Sequence, residues 1–117
     1  MRDYRKYEIW KKSHQLALEV YGVTKYFPKE EMYGITSQLR RSSLSTPTNI
    51  VEGSGRHSQK EFAHFINIAS GSAAETEYLI RFSFDIKYLN ENDFNKINEE
   101  LISIRKMLNA FHQKIKL

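Results

Sequence analysis

The chain is 117 residues long, with 40% apolar and 27% charged residues, a globular composition that fits one domain over residues 1–117 and is too short for two. With no cysteine, disulfides and thiolate metal sites are excluded, and no apolar run approaches the ~20 residues that cross a bilayer. The net charge of +4 is unevenly spread: residues 1–60 hold 11 basic and 6 acidic side chains, and residues 61–117 hold 7 and 8. The opening MRDYRKYEIW is basic but has no apolar core, so it does not read as a secretory signal, and a cytoplasmic protein is expected.

Only 2 prolines and 5 glycines interrupt the chain, so long helices are expected. The first runs from about Glu8 to Tyr26, on a stripe of Ile9, Ser13, Leu16, Val20, Val23 and Phe27. Phe27-Pro28 ends it, because the residue before proline is pushed out of the α region. The second spans about Lys29 to Ser54. Pro47 removes a backbone donor and crowds the Ser43 carbonyl, which predicts a kink or brief break, with the hydroxyls of Ser43, Thr46 and neighbours able to satisfy the freed groups. Gly53-Ser54-Gly55 terminates it.

Ser58-Gln59-Lys60-Glu61 is a capping box and starts a third helix that runs to roughly Tyr88. Phe62, Phe65, Ile66, Ile68, Ala69, Ala73, Leu79, Ile80, Phe82, Phe84 and Ile86 cover more than one of its faces, so it is central in the monomer and also covered by another subunit. In the fourth helix Phe94, Ile97, Leu101, Ile104, Leu108, Phe111 and Ile115 form a seam over three heptads, with Asn92 or Asp93 as N-cap. Four long helices with short connections predict an all-α, antiparallel up-down-up-down four-helix bundle, its second helix kinked near Pro47.

No catalytic constellation emerges, and no cofactor is implied. A di-iron site needs two Glu-x-x-His pairs, and Glu61–His64 is alone. His14, His57, His64 and His112 are scattered, and Gly53-Ser54-Gly55-Arg56 lacks the lysine and spacing of a phosphate-binding loop. The chain therefore reads as a non-enzyme with no metal. Gln38, Ser45, Asn49 and Glu52 share one face of the second helix and, with Glu75, suggest a buried polar network that fixes register. Arg40 and Arg41 differ by ~100° around the axis and cannot face one neighbour. For nucleic acid the candidate contacts are Lys11, Lys12, Arg40, Arg41, Arg56 and Lys60, joined by Arg2, Arg5 and Lys6; phosphate neutralisation requires a cluster of cations rather than a fixed motif.

One ordered series of residues is more specific than any of these short motifs. It comprises Ile9-Trp10-Lys11-Lys12, Tyr21, Thr24, Phe27-Pro28, Tyr33-Gly34-Ile35, Gln38-Leu39-Arg40-Arg41-Ser42, Ser45, Pro47-Thr48-Asn49-Ile50, Glu52-Gly53, Arg56, Phe62, Phe65, Ile68-Ala69, Gly71-Ser72 and Glu75. With it the chain resembles the four-helix bundle proteins encoded within intervening sequences of bacterial 23S rRNA genes, a family that includes the accessory protein of diversity-generating retroelements. Ser42, Thr46 and Ser13-His14 depart from the usual residues at packing positions. The resemblance implies a ring-like homopentamer with no established catalytic activity. Its retroelement members look like basic proteins that bind nucleic acid and a reverse transcriptase. Five copies at +4 each would carry +20. Two readings follow: an oligomer associated with RNA or DNA, or an adaptor that docks a partner enzyme without touching nucleic acid.

Overall fold

A computed structural model describes residues 2–116. They form four α-helices and two short 3₁₀ turns: α1 Glu8–Thr24, α2 Ile35–Ser54, α3 Gln59–Asp85 and α4 Glu91–Ile115, with the turns at Tyr4–Lys6 and Lys29–Glu31. The molecule measures 43 × 24 × 19 Å, an elongated all-α bundle. Its core is the set of stripes that periodicity marks. Ile9, Leu16 and Val20 come from α1, Leu39 and Ile50 from α2, Phe62, Ile66, Ala69, Ala73 and Ile80 from α3, and Phe94, Ile97, Leu101, Ile104 and Leu108 from α4.

Helix ends differ from the sequence expectation where a tertiary contact or a better cap intervenes. α1 stops at Thr24, whose hydroxyl turns back to donate to the Val20 carbonyl (2.7 Å). α2 starts at Ile35, not near Lys29. Glu31 is engaged elsewhere, accepting from the Tyr88 hydroxyl (2.8 Å), and a Cβ on Gly34 would meet its Oε1 at 2.6 Å, so the chain turns there before the helix begins. α3 is capped as expected, Ser58 Oγ accepting from the Glu61 amide at 3.1 Å, but ends at Asp85, beyond which Lys87 adopts a left-handed φ of 69°. The α4 cap is Asn90, one turn before Asp93, whose amide it accepts at 2.8 Å; neither Asn92 nor Asp93 has that role.

α2 runs without interruption from Ile35 to Ser54, the buried Pro47 included. An interior proline costs about 3 kcal/mol in an isolated helix, so packing on both flanks and local side-chain bonds must offset it. Thr48 Oγ1 donates to the Leu44 carbonyl and Asn49 Nδ2 to the Ser45 carbonyl, each at 2.8 Å. Ser43 and Thr46 do not serve the freed Ser43 carbonyl. The Ser43 hydroxyl donates to the Arg40 carbonyl (3.0 Å) and that of Thr46 to Ala69 on α3 (3.4 Å).

The helix pairs are fixed by specific meetings. α2 and α3 touch at Gly53 with Phe62 and Phe65, at Thr46 with Ala69, at Ser45 with Ser72 and at Ser42 with Thr76, a series in which one number falls as the other rises. α3 meets α4 at Phe84–Phe94, ring centroids 4.4 Å apart, and at Glu77–Arg105. α1 meets α4 at Tyr7–Phe111 near one end and at Glu19–Lys96 towards the other. Among the described residues no helix is long and apolar enough to cross a membrane.

Candidate nucleic-acid interface

The six basic candidates are distributed around the bundle rather than gathered on one side. Lys11 is exposed on α1, its Nζ 3.6 Å from Glu8 Oε1. Lys12, one position on, borders a cleft between α1 and α4 that it shares with Glu19 and Glu100. Arg40 is half-buried against α1. Its Nε donates to Thr24 Oγ1 at 2.8 Å, and its guanidinium lies 4.7 Å from the centre of the Tyr21 ring. That side chain is engaged in packing two helices, whereas Arg41 is exposed. Arg56 covers the Phe65 ring at 4.7 Å and stands 3.7 Å from Glu52. Lys60 projects from the first turn of α3.

Arg2 organises the corner where α2 gives way to α3. It donates to the Ser54 and Arg56 carbonyls and to Gln59 Oε1, and its guanidinium lies 4.6 Å from the Phe62 ring centre. A broad hollow lined by Arg2, Ser54, Gly55, Arg56 and His57 opens beside it. Arg2 and Arg56 are thus neighbours, Lys60 lies in the first turn of α3, Lys11 and Lys12 lie on α1, and Arg41 stands ~100° around α2 from Arg40.

The polar residues on α2 divide in the same way. Ser45 and Asn49 form a local network: the Ser45 hydroxyl is 2.8 Å from that of Ser72, and Asn49 Nδ2 reaches Ser45 Oγ at 3.0 Å. One turn away, the buried hydroxyls of Thr76 and Ser42 are 2.9 Å apart. Gln38, Glu52 and Glu75 are exposed, and among the described residues no hydrogen bond joins them to this network. Ser72 and Thr76 are the partners that sequence reasoning missed. The signal for Ser72 was the run of small residues Ala69-Ser70-Gly71-Ser72-Ala73-Ala74 on α3, which leaves room for hydroxyls to meet across the seam.

A charged cluster between α1 and α4 was also missed. Lys96 Nζ lies 2.8 Å from Glu19 Oε1. Burial drives the Glu19 carboxyl upward, but hydrogen bonds from Glu100 and Lys96 outweigh it and hold the group below its ordinary value. Burial and the hydrogen bond to Glu19 push Glu100 up to about 7. At the helix connections, the bond to Glu31 raises the Tyr88 phenol. Among the described residues no three histidine, aspartate or glutamate side chains come together in a way that could hold a metal, so the Glu61–His64 pair gains no further ligand.

The comparisons agree with this architecture. No curated protein matches the chain. A crystal structure of a protein of unknown function from the S23 ribosomal protein family of Bacteroides thetaiotaomicron VPI-5482 superposes with a TM-score of 0.80. It is 25% identical and covers 89% of this chain and 97% of its own. The sequence model of the 23S rRNA-intervening sequence proteins matches residues 5–110. Over nearly its whole length, then, this chain belongs to the 23S rRNA-intervening sequence protein family.

Proposed function

We propose that this chain is a non-enzymatic, self-associating helical bundle that binds nucleic acid through its basic surface. The carrying observation is the excess of 18 basic over 14 acidic side chains, with Lys6 and Lys60 exposed and, among the described residues, outside any ion pair. Such a surface neutralises phosphates and releases their counterions whatever the sequence of the bases. Self-association is supported by apolar residues left exposed on two separate flanks. Leu18, Tyr21 and Leu44 lie along α1 and α2, and Ile68, Tyr78 and Phe82 along α3, with Ile86 just past its end. Two different flanks suit a head-to-tail ring, the homopentamer that the family resemblance implies, because a two-fold dimer would use one flank twice. A cytoplasmic setting, where nucleic acid is at hand, suits this reading.

The test is a titration of purified protein against structured RNA and duplex DNA over a salt series. The expected outcome is an affinity that falls steeply and log-linearly with salt, the slope counting the phosphates contacted. No binding at low salt removes this reading. The same exposed flanks support the second one, an adaptor that docks a partner enzyme such as a reverse transcriptase. Copurification separates the two: a nucleic-acid absorbance ratio accompanies the first and a partner protein band the second.

A further inference from the structure

Charge in this molecule is sorted by height along the bundle, which is not apparent from the sequence order. Arg2 reaches the α2–α3 corner, and the rings of Tyr7, Phe62 and Phe111 meet pairwise with centroids 5.2 to 5.9 Å apart. These contacts bring the 3₁₀ turn and start of α1, the end of α2, the start of α3 and the end of α4 to one end. At the opposite end Phe27 packs on Tyr88, Tyr88 bonds to Glu31, Phe84 stacks on Phe94, and Arg40 bonds to Thr24.

The first end comprises residues 2–14, 52–64 and 106–116, which carry ten basic and four acidic side chains, a balance of +6. The second comprises residues 20–41 and 78–99, with seven basic and six acidic, a balance of +1. Glu19, Glu75, Glu77, Glu100 and Arg105 lie between these segments, Glu77 paired with Arg105 and Glu19 bonded to Glu100, and carry −3, so the positive charge of the molecule is concentrated at the first end. All four histidines also lie in the segments of the first end.

We infer that the nucleic-acid backbone docks on this basic end of the bundle, across Arg5, Lys6, Arg56, Lys60, Lys114 and Lys116, and not along a helix face. This rests on the nucleic-acid reading above and locates its site. The favoured partner is a polyphosphate backbone. The cations reach the surface from four separate segments, and such a scattered array matches the repeating charge of a nucleic acid. The hollow beside Arg2, Arg56 and His57 gives one phosphate a place to approach closely. The near-neutral second end offers a polyanion no comparable attraction, which fixes the direction of approach.

Two quadruple variants decide the matter, each lowering the net charge by four. One replaces the exposed Lys6, Lys60, Lys114 and Lys116 of the first end by Gln. The other replaces the exposed Lys25, Lys29, Arg41 and Lys87 of the second end by Gln. Both sets are surface side chains, and each variant's cooperative melt is compared with that of the parent before binding is read. Full-length parent and variants are titrated with duplex DNA, an RNA hairpin and polyglutamate over a salt series. The first variant is expected to lose about four from the magnitude of the log–log salt slope, and on the order of a hundredfold or more in affinity near 0.1 M salt. The second is expected to keep the parental slope. Equal losses in the two variants overturn docking at the basic end while leaving nucleic-acid binding intact. Polyglutamate binding as tightly as RNA or DNA overturns the phosphate assignment. A parent that binds neither RNA nor DNA overturns the reading beneath both.

Discussion

Glu19 Oε2 is buried and accepts no hydrogen bond from an ordinary donor, and Glu100 stands beside it in a cleft of about 300 Å³ lined also by Lys12, Gln15, Ser103 and Ile104. As an acid, Glu100 is the neighbour able to donate to that oxygen, and burial together with this bond raises it to about 7. A carboxyl whose folded value lies above its ordinary 4.5 binds its proton more tightly in the native state. Its stabilising contribution is therefore complete below about pH 4.5, declines as the pH rises, and is gone above about 7. Glu19, shifted the other way, contributes above its ordinary value and loses that contribution in acid. The melting temperature of the parent should fall between about pH 5 and 7.5. Glu100→Gln donates to Glu19 without ionising, so it should flatten this interval and melt above the parent near about pH 8. An equal fall in both proteins would remove the shared proton. This cluster was invisible in the sequence because Glu100 reads as one more charge on the outer face of α4, and nothing local announces that Glu19 approaches it from α1.

Helix against helix, α2 comes close to α3 at Gly53. A Cβ there would stand 2.7 Å from Phe65 Cβ and 2.9 Å from Phe62 Cδ1, so α2 and α3 touch because this residue has no side chain. Gly53→Ala must push the helices apart, at a cost of about 1–3 kcal/mol by the usual penalty for overpacking. Gly22 and Gly71 lie inside α1 and α3, where an added Cβ would have nothing within 4 Å, so Gly22→Ala and Gly71→Ala should stabilise by about 0.5–1 kcal/mol. Thermal melts of the three variants give opposite signs if this is right. At this scale the sequence was informative in places and silent in others. The seam of α4 was legible to the residue, every member from Phe94 to Leu108 being buried, since periodicity reports burial directly. The start of α2 was not, because the bond from Tyr88 to Glu31 joins residues 57 apart and overrides local propensity. The capping box at Ser58 was readable because its partners are three residues apart.

For the molecule as a whole, the apolar stripe on α3 bears on assembly. Tyr78 and Phe82, ring centroids 6.4 Å apart, are 62% and 42% exposed, and Ile68 and Ile86 continue the flank. If copies associate there, Phe82→Glu should shift the mass measured by light scattering towards the monomer and leave the circular dichroism of the bundle unchanged. An unchanged mass would place the interface elsewhere. The candidate interface was only half legible in the sequence. Composition located the excess of positive charge in residues 1–60, but folding redistributes it. Arg40 turns inward onto Tyr21, Arg41 belongs to the less basic end, and Lys114 and Lys116 from the far end of the chain join Arg56 and Lys60.

The chain has a single tryptophan, Trp10, in the first turn of α1. Its indole lies flat on the His14 ring, centroids 4.9 Å apart and planes 9° from parallel, while Tyr4 meets it edge-on. It therefore reports from the basic end and from nowhere else. An anion settling there perturbs the imidazole against the indole and changes the emission of the unlabelled protein, while a ligand held at the opposite end leaves the fluorescence as it was.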